Sequence, residues 1–169
     1  YYKATDEDGN TVLKHGWKRG KHKPLDLYAS MDWELVDENE RSWNYHKHSL
    51  TMLDELLSAH SKMPDCLYLL LPALNIALGW TRKNVDDEGN PIETLSKFAW
   101  YDMAVGIRAL RLAYIIDAAR QHNLLSPNQD ELLWKALKAH QRYLEDDKNI
   151  IFHNNHGYYQ AAGQIAMGR

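Results

Sequence analysis

The stretch FAWYDMAVGIRALRLAYIIDAARQH, residues 98–122, decides the fold class of this 169-residue chain. Apolar and basic residues recur in it at helical spacing, which predicts a two-faced helix over about residues 97–122. The residues that carry this pattern are Ala104, Ile107, Arg108, Arg111, Ile115 and Ala118.

Two further helices are predicted before this one. Leucines at roughly helical spacing predict a single helix from Ser42 to about Lys62. Residues 65–80 are apolar nearly all round, so we expect a buried helix with a kink at Pro72. The polar segment 82–91 that follows is predicted to be a loop.

Two more helices are predicted after it. Ser126 followed by Pro127 is typical of a helix start, and this helix should end near Asp147. A last helix is predicted to begin near Asn155 and to be cut off at Arg169. No strand pattern competes after residue 40, so the chain is predicted to be all-α, built of antiparallel helix pairs.

The domain organisation follows from the same patterns. Residues 1–30 are polar and are predicted to form an irregular arm, in which TVLKHGW at 11–17 is a short strand or an extended segment. Residues 31–169 are predicted to be part of one helical domain. Because the chain starts without Met and stops inside a predicted helix, we expect it to be a piece of a larger protein.

Composition excludes several classes of function. A net charge of −3 gives no broad basic field, so no nucleic-acid partner is expected. The apolar run from Cys66 to Trp80 is too short to span a bilayer, which takes about 20 residues. Cys66 is the one cysteine, so there is no disulfide framework, and the first ten residues lack the features of a signal peptide.

The aromatic residues favour a sugar-binding protein. Six Trp and ten Tyr against two Phe supply rings with a polar tip, which suit a wet groove where one edge packs and the other meets a ligand. The alternative is that each ring simply fills a helix interface.

The segment HNNHGYYQ at 153–160 is the strongest candidate site. Asn154, Asn155 and His156 stand at a predicted helix start, where their N–H groups and the helix dipole can bind a carboxylate. Stabilising the negative charge that spreads onto a uronate carboxylate is what β-elimination requires. The alternative is an Asn/His cap cluster without a ligand.

Two other segments gather aromatic and basic residues. In RSWNYHKHSL at 41–50, Trp43, Tyr45 and His48 are predicted to form a stacking wall for a sugar ring. Trp33 lies in an acidic loop, where so large a ring must either pack or bind.

The start of the 97–122 helix carries the last candidates. Trp100, Tyr101 and Arg108 are predicted to reach the substrate, although Arg108 has the alternative of pairing with Asp102 or Asp117. Histidines at positions 46, 48, 153 and 156 also suggest a metal site, but no HExxH motif accompanies them and no metal ligand is predicted.

Taken together, these segments resemble the N-terminal catalytic domain of the heparinase II/III-like polysaccharide lyases, which share features with alginate lyases. The likeness covers about residues 30–169. It rests on four motifs in order: Asp32-Trp33, Trp43-Asn44-Tyr45, Trp100 to Arg108, and Asn155-His156-Gly157. The first helix departs from the family pattern, with His46-Lys47-His48-Ser49 after Tyr45.

The resemblance implies an incomplete (α/α) toroid, followed in the whole protein by a β-sandwich domain. It also implies that the chain cleaves uronic-acid-containing polysaccharide, of heparin or alginate type, by β-elimination in the periplasm or outside the cell. Asn155 and His156 would neutralise the carboxylate as the catalytic pair, and Asn154 and Tyr158 would contact the substrate.

In the family, the Tyr or His base and the Tyr acid lie further along the chain, beyond Arg169. The resemblance therefore implies that this piece alone is inactive and that its partner is the remaining C-terminal part. No cofactor is required for the carboxylate-binding part of the site that this chain contains. A structural divalent metal in the remaining C-terminal part is compatible with the resemblance.

Two alternatives remain open at the level of sequence. The first alternative to a lyase is a non-catalytic module that binds an acidic glycan. The second is a glycoside hydrolase on a similar helical toroid, which would need two carboxylic acids, and Asp32, Asp37 and Asp102 are available.

Overall fold

The computed structural model describes residues 6–94 and 96–168, and over these residues the predicted all-α class is confirmed. Two isolated antiparallel bridges, Trp17 with Leu25 and Val85 with Pro91, are the only extended pairings among the described residues. Short 3₁₀ turns lie at Thr51–Leu53 and Asp147–Asn149. The helices are α1 (Asp6–His15), α2 (Arg41–His48), α3 (Asp54–Lys62), α4 (Leu67–Asn84), α5 (Asp102–Gln121), α6 (Pro127–Glu145) and α7 (Asn155–Met167).

The N-terminal arm is more regular than predicted. Residues 6–15 form α1, which packs on α3, so the prediction of a strand or extended segment from residue 11 is wrong as far as His15. Gly9 faces Ala59 so closely that an added Cβ would lie 3.1 Å from the Ala59 Cβ. This tertiary contact stabilises a helix that the polar local sequence does not indicate.

The single helix predicted from Ser42 to Lys62 is two helices. Leu50 interrupts it with a left-handed backbone, φ 58°, and the chain resumes through the 3₁₀ turn into α3. The Leu50 side chain is fully buried. Burying a leucine side chain contributes about 2 kcal/mol, which offsets the strain of that conformation.

The helix predicted at 65–80 is longer than expected. It begins at Leu67 and runs on to Asn84 with Pro72 inside it, so the first residues of the predicted loop are helical. Most of its side chains are buried, as its all-round apolar pattern indicates. Over the described residues, none of the helices has the length and apolar character needed to cross a membrane.

Helix α5 lies at the centre of the molecule, in contact with α2, α4, α6 and α7. Residues 104–109 are all buried, because neighbours cover α5 on several sides. The predicted two-faced character is therefore wrong for the first turns of α5, and the helix begins at Asp102, five residues later than predicted, although its end at Gln121 agrees with the prediction.

After α3, consecutive helices pack on each other, and α4 also contacts α6 while α5 contacts α7. Consecutive helices run in opposite directions. The Arg120–Asp130 ion pair joins the end of α5 to the start of α6, and Arg108 and His140 meet nearer the other end. The capping box of Ser126 and Gln129 confirms the predicted start of α6.

Glycines set the position of α7 on α5. A Cβ added to Gly163 would lie 2.6 Å from the Gly106 carbonyl oxygen, and one added to Gly106 would collide with the backbone of Tyr159. The two backbones therefore touch directly. Because Gly106 meets Tyr159 and Gly163 while Asp102 meets His156, the helices run parallel and their N-termini lie side by side.

Candidate functional site

The N-termini of α5 and α7 meet at a contact between the His156 imidazole and the Asp102 carboxylate. His156 Nδ1 lies 3.0 Å from Asp102 Oδ2, and both side chains are partly exposed. Asn154 is the N-cap of α7, where its Oδ1 accepts a hydrogen bond from the His156 amide at 2.8 Å. Gly157 makes this turn possible, since a Cβ there would collide with the carbonyl of Ile151.

The Asp102 carboxylate determines which atom of His156 is left for a ligand. The carboxylate accepts the Nδ1 proton, so the ring points Nε2 away from Asp102. In the neutral ring Nε2 accepts a hydrogen bond, and in the charged ring it donates one. Asn155, one residue before, is exposed with an amide that both donates and accepts.

A guanidinium stands beside this pair. Arg41, the exposed first residue of α2, donates a hydrogen bond to the Tyr101 hydroxyl at 3.0 Å, and its charge lies 5.9 Å from the centre of the Phe98 ring. The Tyr101 ring is in turn 6.5 Å from the His156 ring, centre to centre. The sequence analysis missed Arg41, although its place at the start of the RSWNY helix was a usable signal.

Tyr45 packs edge-on against Phe98 and Tyr101 at this end of the molecule. Its hydroxyl is buried and has no hydrogen-bond partner among the described residues. Burial raises the pKa of Tyr45, against the opposing effect of Arg111. The group therefore stays protonated and keeps an unused O–H donor.

Five of the predicted site residues thus lie close together: Tyr45, Tyr101, Asn154, Asn155 and His156. We call these residues, together with Arg41 and Asp102, the helix-start site. Tyr158 lies one turn along α7, with 67% of its surface exposed.

Arg108 is elsewhere, and its predicted contact with substrate is wrong in this structure. It is fully buried and donates to His140 Nε2, to the His48 carbonyl and to the Ala99 carbonyl. Its charge lies 3.8 Å from the centre of the Trp80 ring, and burial lowers the pKa of Arg108. The alternative pairing with Asp102 or Asp117 is also wrong, because carbonyls, an imidazole and rings take the place of a carboxylate.

Two other predicted substrate contacts are core residues. His48 is fully buried, with Nδ1 accepting from Trp80 Nε1 at 3.4 Å, and burial lowers the pKa of His48 to about 3. Trp43 is 2% exposed and stacks on His22 at 4.4 Å. Neither ring is open to solvent, because His22 covers Trp43 and Trp33, itself 6% exposed, lies 6.0 Å from the His48 ring, centre to centre.

Trp100 also faces inward, contrary to its predicted role. Its Nε1 donates to the Asn84 carbonyl at 3.1 Å, and its ring packs against Trp80 and His140. We call Arg108, His48, His140, Trp80 and Trp100 the buried arginine cluster.

Two of the histidines that suggested a metal site have other hydrogen-bond partners. His46 Nδ1 bonds to Thr51 Oγ1 at 2.7 Å, and His156 pairs with Asp102. Over residues 6–94 and 96–168, no group of three or more His, Cys, Asp or Glu side chains is arranged to hold a metal ion.

Comparisons with protein-family models, with curated proteins and with solved structures gave no match to this chain. The candidate function therefore depends on the residues themselves and on the motif resemblance.

Proposed function

We propose that this chain is part of a polysaccharide lyase that cleaves uronic-acid-containing polysaccharide by β-elimination. The observation that carries the proposal is the helix-start site, where two parallel helices present their positive ends together with His156, the Asn155 amide and Arg41. A uronate carboxylate is the ligand for which this combination of donors and dipoles is suited.

The chemistry makes carboxylate binding the central task. A base removes the proton from the carbon beside the carboxylate, and that electron pair forms the new C=C bond as the glycosidic C–O bond breaks. The leaving oxygen takes a proton from an acid, so charge is balanced. Between these events negative charge spreads onto the carboxylate, and donors fixed in advance stabilise it there.

In this proposal Asn155 and His156 are the catalytic residues that contact the carboxylate. Asp102 is a positioning residue that holds the His156 ring through Nδ1. Tyr101 contacts the sugar with the Tyr45 ring packed against it, and Arg41 adds a charge for the polyanionic chain. The base and the acid are assigned to the rest of the protein, as the motif resemblance implies, so the isolated chain is expected to be inactive.

The same proposal includes the architecture and the location. Part of an (α/α) toroid would have alternate helices running parallel and in contact, and the contacts of α4 with α6 and of α5 with α7 support this architecture. The protein would act in the periplasm or outside the cell, on a polymer that cannot enter the cytoplasm.

The glycoside hydrolase alternative has less support, because each of its three candidate carboxylates is already bound by groups of the protein. Asp32 Oδ1 accepts from the amides of Glu34 and Leu35, and Asp37 Oδ1 accepts from the Asn39 amide. Both carboxylates are thus occupied in shaping turns. Asp102 is bound to His156.

The test is the ultraviolet absorbance of unsaturated uronate, measured with the whole protein that carries this chain on heparan, chondroitin and alginate. We expect product from at least one polymer, and a loss of about 100-fold or more in rate on Asn155→Ala, as for removal of one transition-state donor. Folded protein with no product on any of them rejects catalysis. Retained binding that needs Asn155 would then favour the glycan-binding module.

A further inference from the structure

A cleft of about 530 Å³ lies directly behind the helix-start site, between the end of α6 and the start of α7. Asn154 belongs to both places, because it lines the cleft and its Oδ1 accepts a hydrogen bond from the His156 amide at 2.8 Å. A polymer whose uronate sits at His156 would therefore lay its next ring at or near this cleft.

Two aromatic rings stand in the cleft with little cover. Phe152 is 68% exposed and Tyr158 is 67% exposed, and both line it. Phenylalanine is rare in this chain, with two in total, and the other, Phe98, is buried. Exposing so large an apolar ring beside a cavity is typical of a surface that binds a ligand. Sugar rings have C–H faces that pack on aromatic rings.

The charges of the cleft point to an uncharged ligand. Glu145 and Asp147 line it, and among the described residues that line it there is no Lys, Arg or His. Carboxylates accept hydrogen bonds from sugar hydroxyls, but they repel a second carboxylate or a sulfate. The Asn154 amide, whose oxygen is occupied, offers its N–H groups to a hydroxyl or acetamido oxygen.

We infer that this cleft binds an uncharged sugar ring next to the uronate, so that the substrate alternates a uronate with a neutral sugar. The inference rests on the proposed function for the uronate position and adds the identity of its neighbour. On one side of Asn154, Arg41 and His156 attract a carboxylate. On the other side, Glu145 and Asp147 repel one. A polymer made of uronates alone does not fit this arrangement.

The experiment is an NMR titration of the chain with two probes, N,N′-diacetylchitobiose as the neutral disaccharide and digalacturonate as the charged one. The neutral probe should shift the signals of Phe152 and Tyr158, whereas digalacturonate should shift those of Asn155 and His156. Phe152→Ala should weaken the neutral probe by about tenfold, the size expected for losing one stacked ring of about 1–1.5 kcal/mol. Tyr28→Ala is the matched control, since Tyr28 is an exposed ring at 65% on a different groove, and it should change nothing.

A second variant tests the charge argument. Glu145→Gln with Asp147→Asn should leave the neutral probe bound and admit digalacturonate to the cleft. The inference is overturned if Phe152→Ala binds the neutral probe as tightly as the unaltered chain does, or if digalacturonate binds in the unaltered cleft. If the neutral probe does not bind in the cleft while the whole protein still releases unsaturated uronate, the proposed function stands and the inference about the cleft is rejected. If the cleft binds and no polymer is cleaved, the proposed function fails separately.

Discussion

Two polar clusters lie close together along α5 and have opposite relations to solvent. The buried arginine cluster has Arg108 at its centre, with all three of its guanidinium nitrogens donating to protein acceptors. The helix-start site has an exposed Arg41 and a partly exposed His156, each with one hydrogen bond from its side chain to another side chain. Both are built from Arg, His and aromatic rings. In the buried arginine cluster the guanidinium nitrogens all donate to protein acceptors, whereas the helix-start site leaves donors free for a ligand.

The largest expected effect is on the buried arginine cluster. Arg108→Ala leaves two carbonyls and the His140 Nε2 without their donor and opens a cavity, so we expect a loss of about 4–5 kcal/mol in the free energy of unfolding. Urea denaturation measures it. Arg120→Ala, which breaks only the exposed pair with Asp130, is the control and should cost less than about 1 kcal/mol. Equal losses would remove the distinction between core and surface arginines.

Acid should affect the same cluster next. Burial first, and then the Arg108 charge, lower the pKa of His140 well below 6.5, and burial lowers that of His48 to about 3. Below pH 6.5 the unfolded chain therefore binds more protons, so this stability is present above 6.5 and is lost as the pH falls. Between pH 6.5 and 5 the two rings together account for up to about 4 kcal/mol.

The measurement for this acid effect is the urea midpoint at neutral pH and near pH 5. A midpoint that does not move over this range would mean that His48 and His140 are not held neutral by the fold.

A glycine contact joins the two clusters, and its loss should be of intermediate size. Gly106→Ala forces the α5 and α7 backbones apart at Tyr159, so we expect a loss of about 2–3 kcal/mol and a displaced His156. Gly79→Ala is the control inside α4, because its Cβ would meet only Trp33 Nε1 at 3.5 Å. That variant should be neutral or slightly stabilising. If Gly106→Ala keeps uronate binding intact, the helix contact does not position the site.

The smallest effect on stability is expected at the helix-start site. Asp102→Asn removes the charge that orients His156 from a partly exposed pair, so the free energy of unfolding should change by less than about 1 kcal/mol. Binding of digalacturonate should nevertheless weaken severalfold, because the imidazole loses its fixed orientation. A large loss of stability with unchanged binding would reassign Asp102 to the core.

The all-α class and most helix positions were predictable from local patterns, while the site was predictable only in part. Helical spacing and the Ser126 cap located α4 to α7, because those signals are local. The left-handed turn at Leu50 and the helix at Asp6–His15 depend on burial against distant residues, which no local pattern carries. The same limit explains Arg108 and His48. Their residue types favour ligand binding, and only the packing of Trp80 and Trp100 around them shows that they are internal.

The most direct test of the helix-start site is a site-resolved NMR titration with digalacturonate and with its carboxyl-reduced, neutral counterpart. The amide signals of Asn155 and His156 should respond to the uronate at concentrations about tenfold lower than to the neutral disaccharide, a difference of about 1.4 kcal/mol. That preference should disappear in the Asn155→Ala, His156→Ala double variant. Equal responses to both disaccharides, or a preference that survives the double variant, would contradict carboxylate recognition at this site.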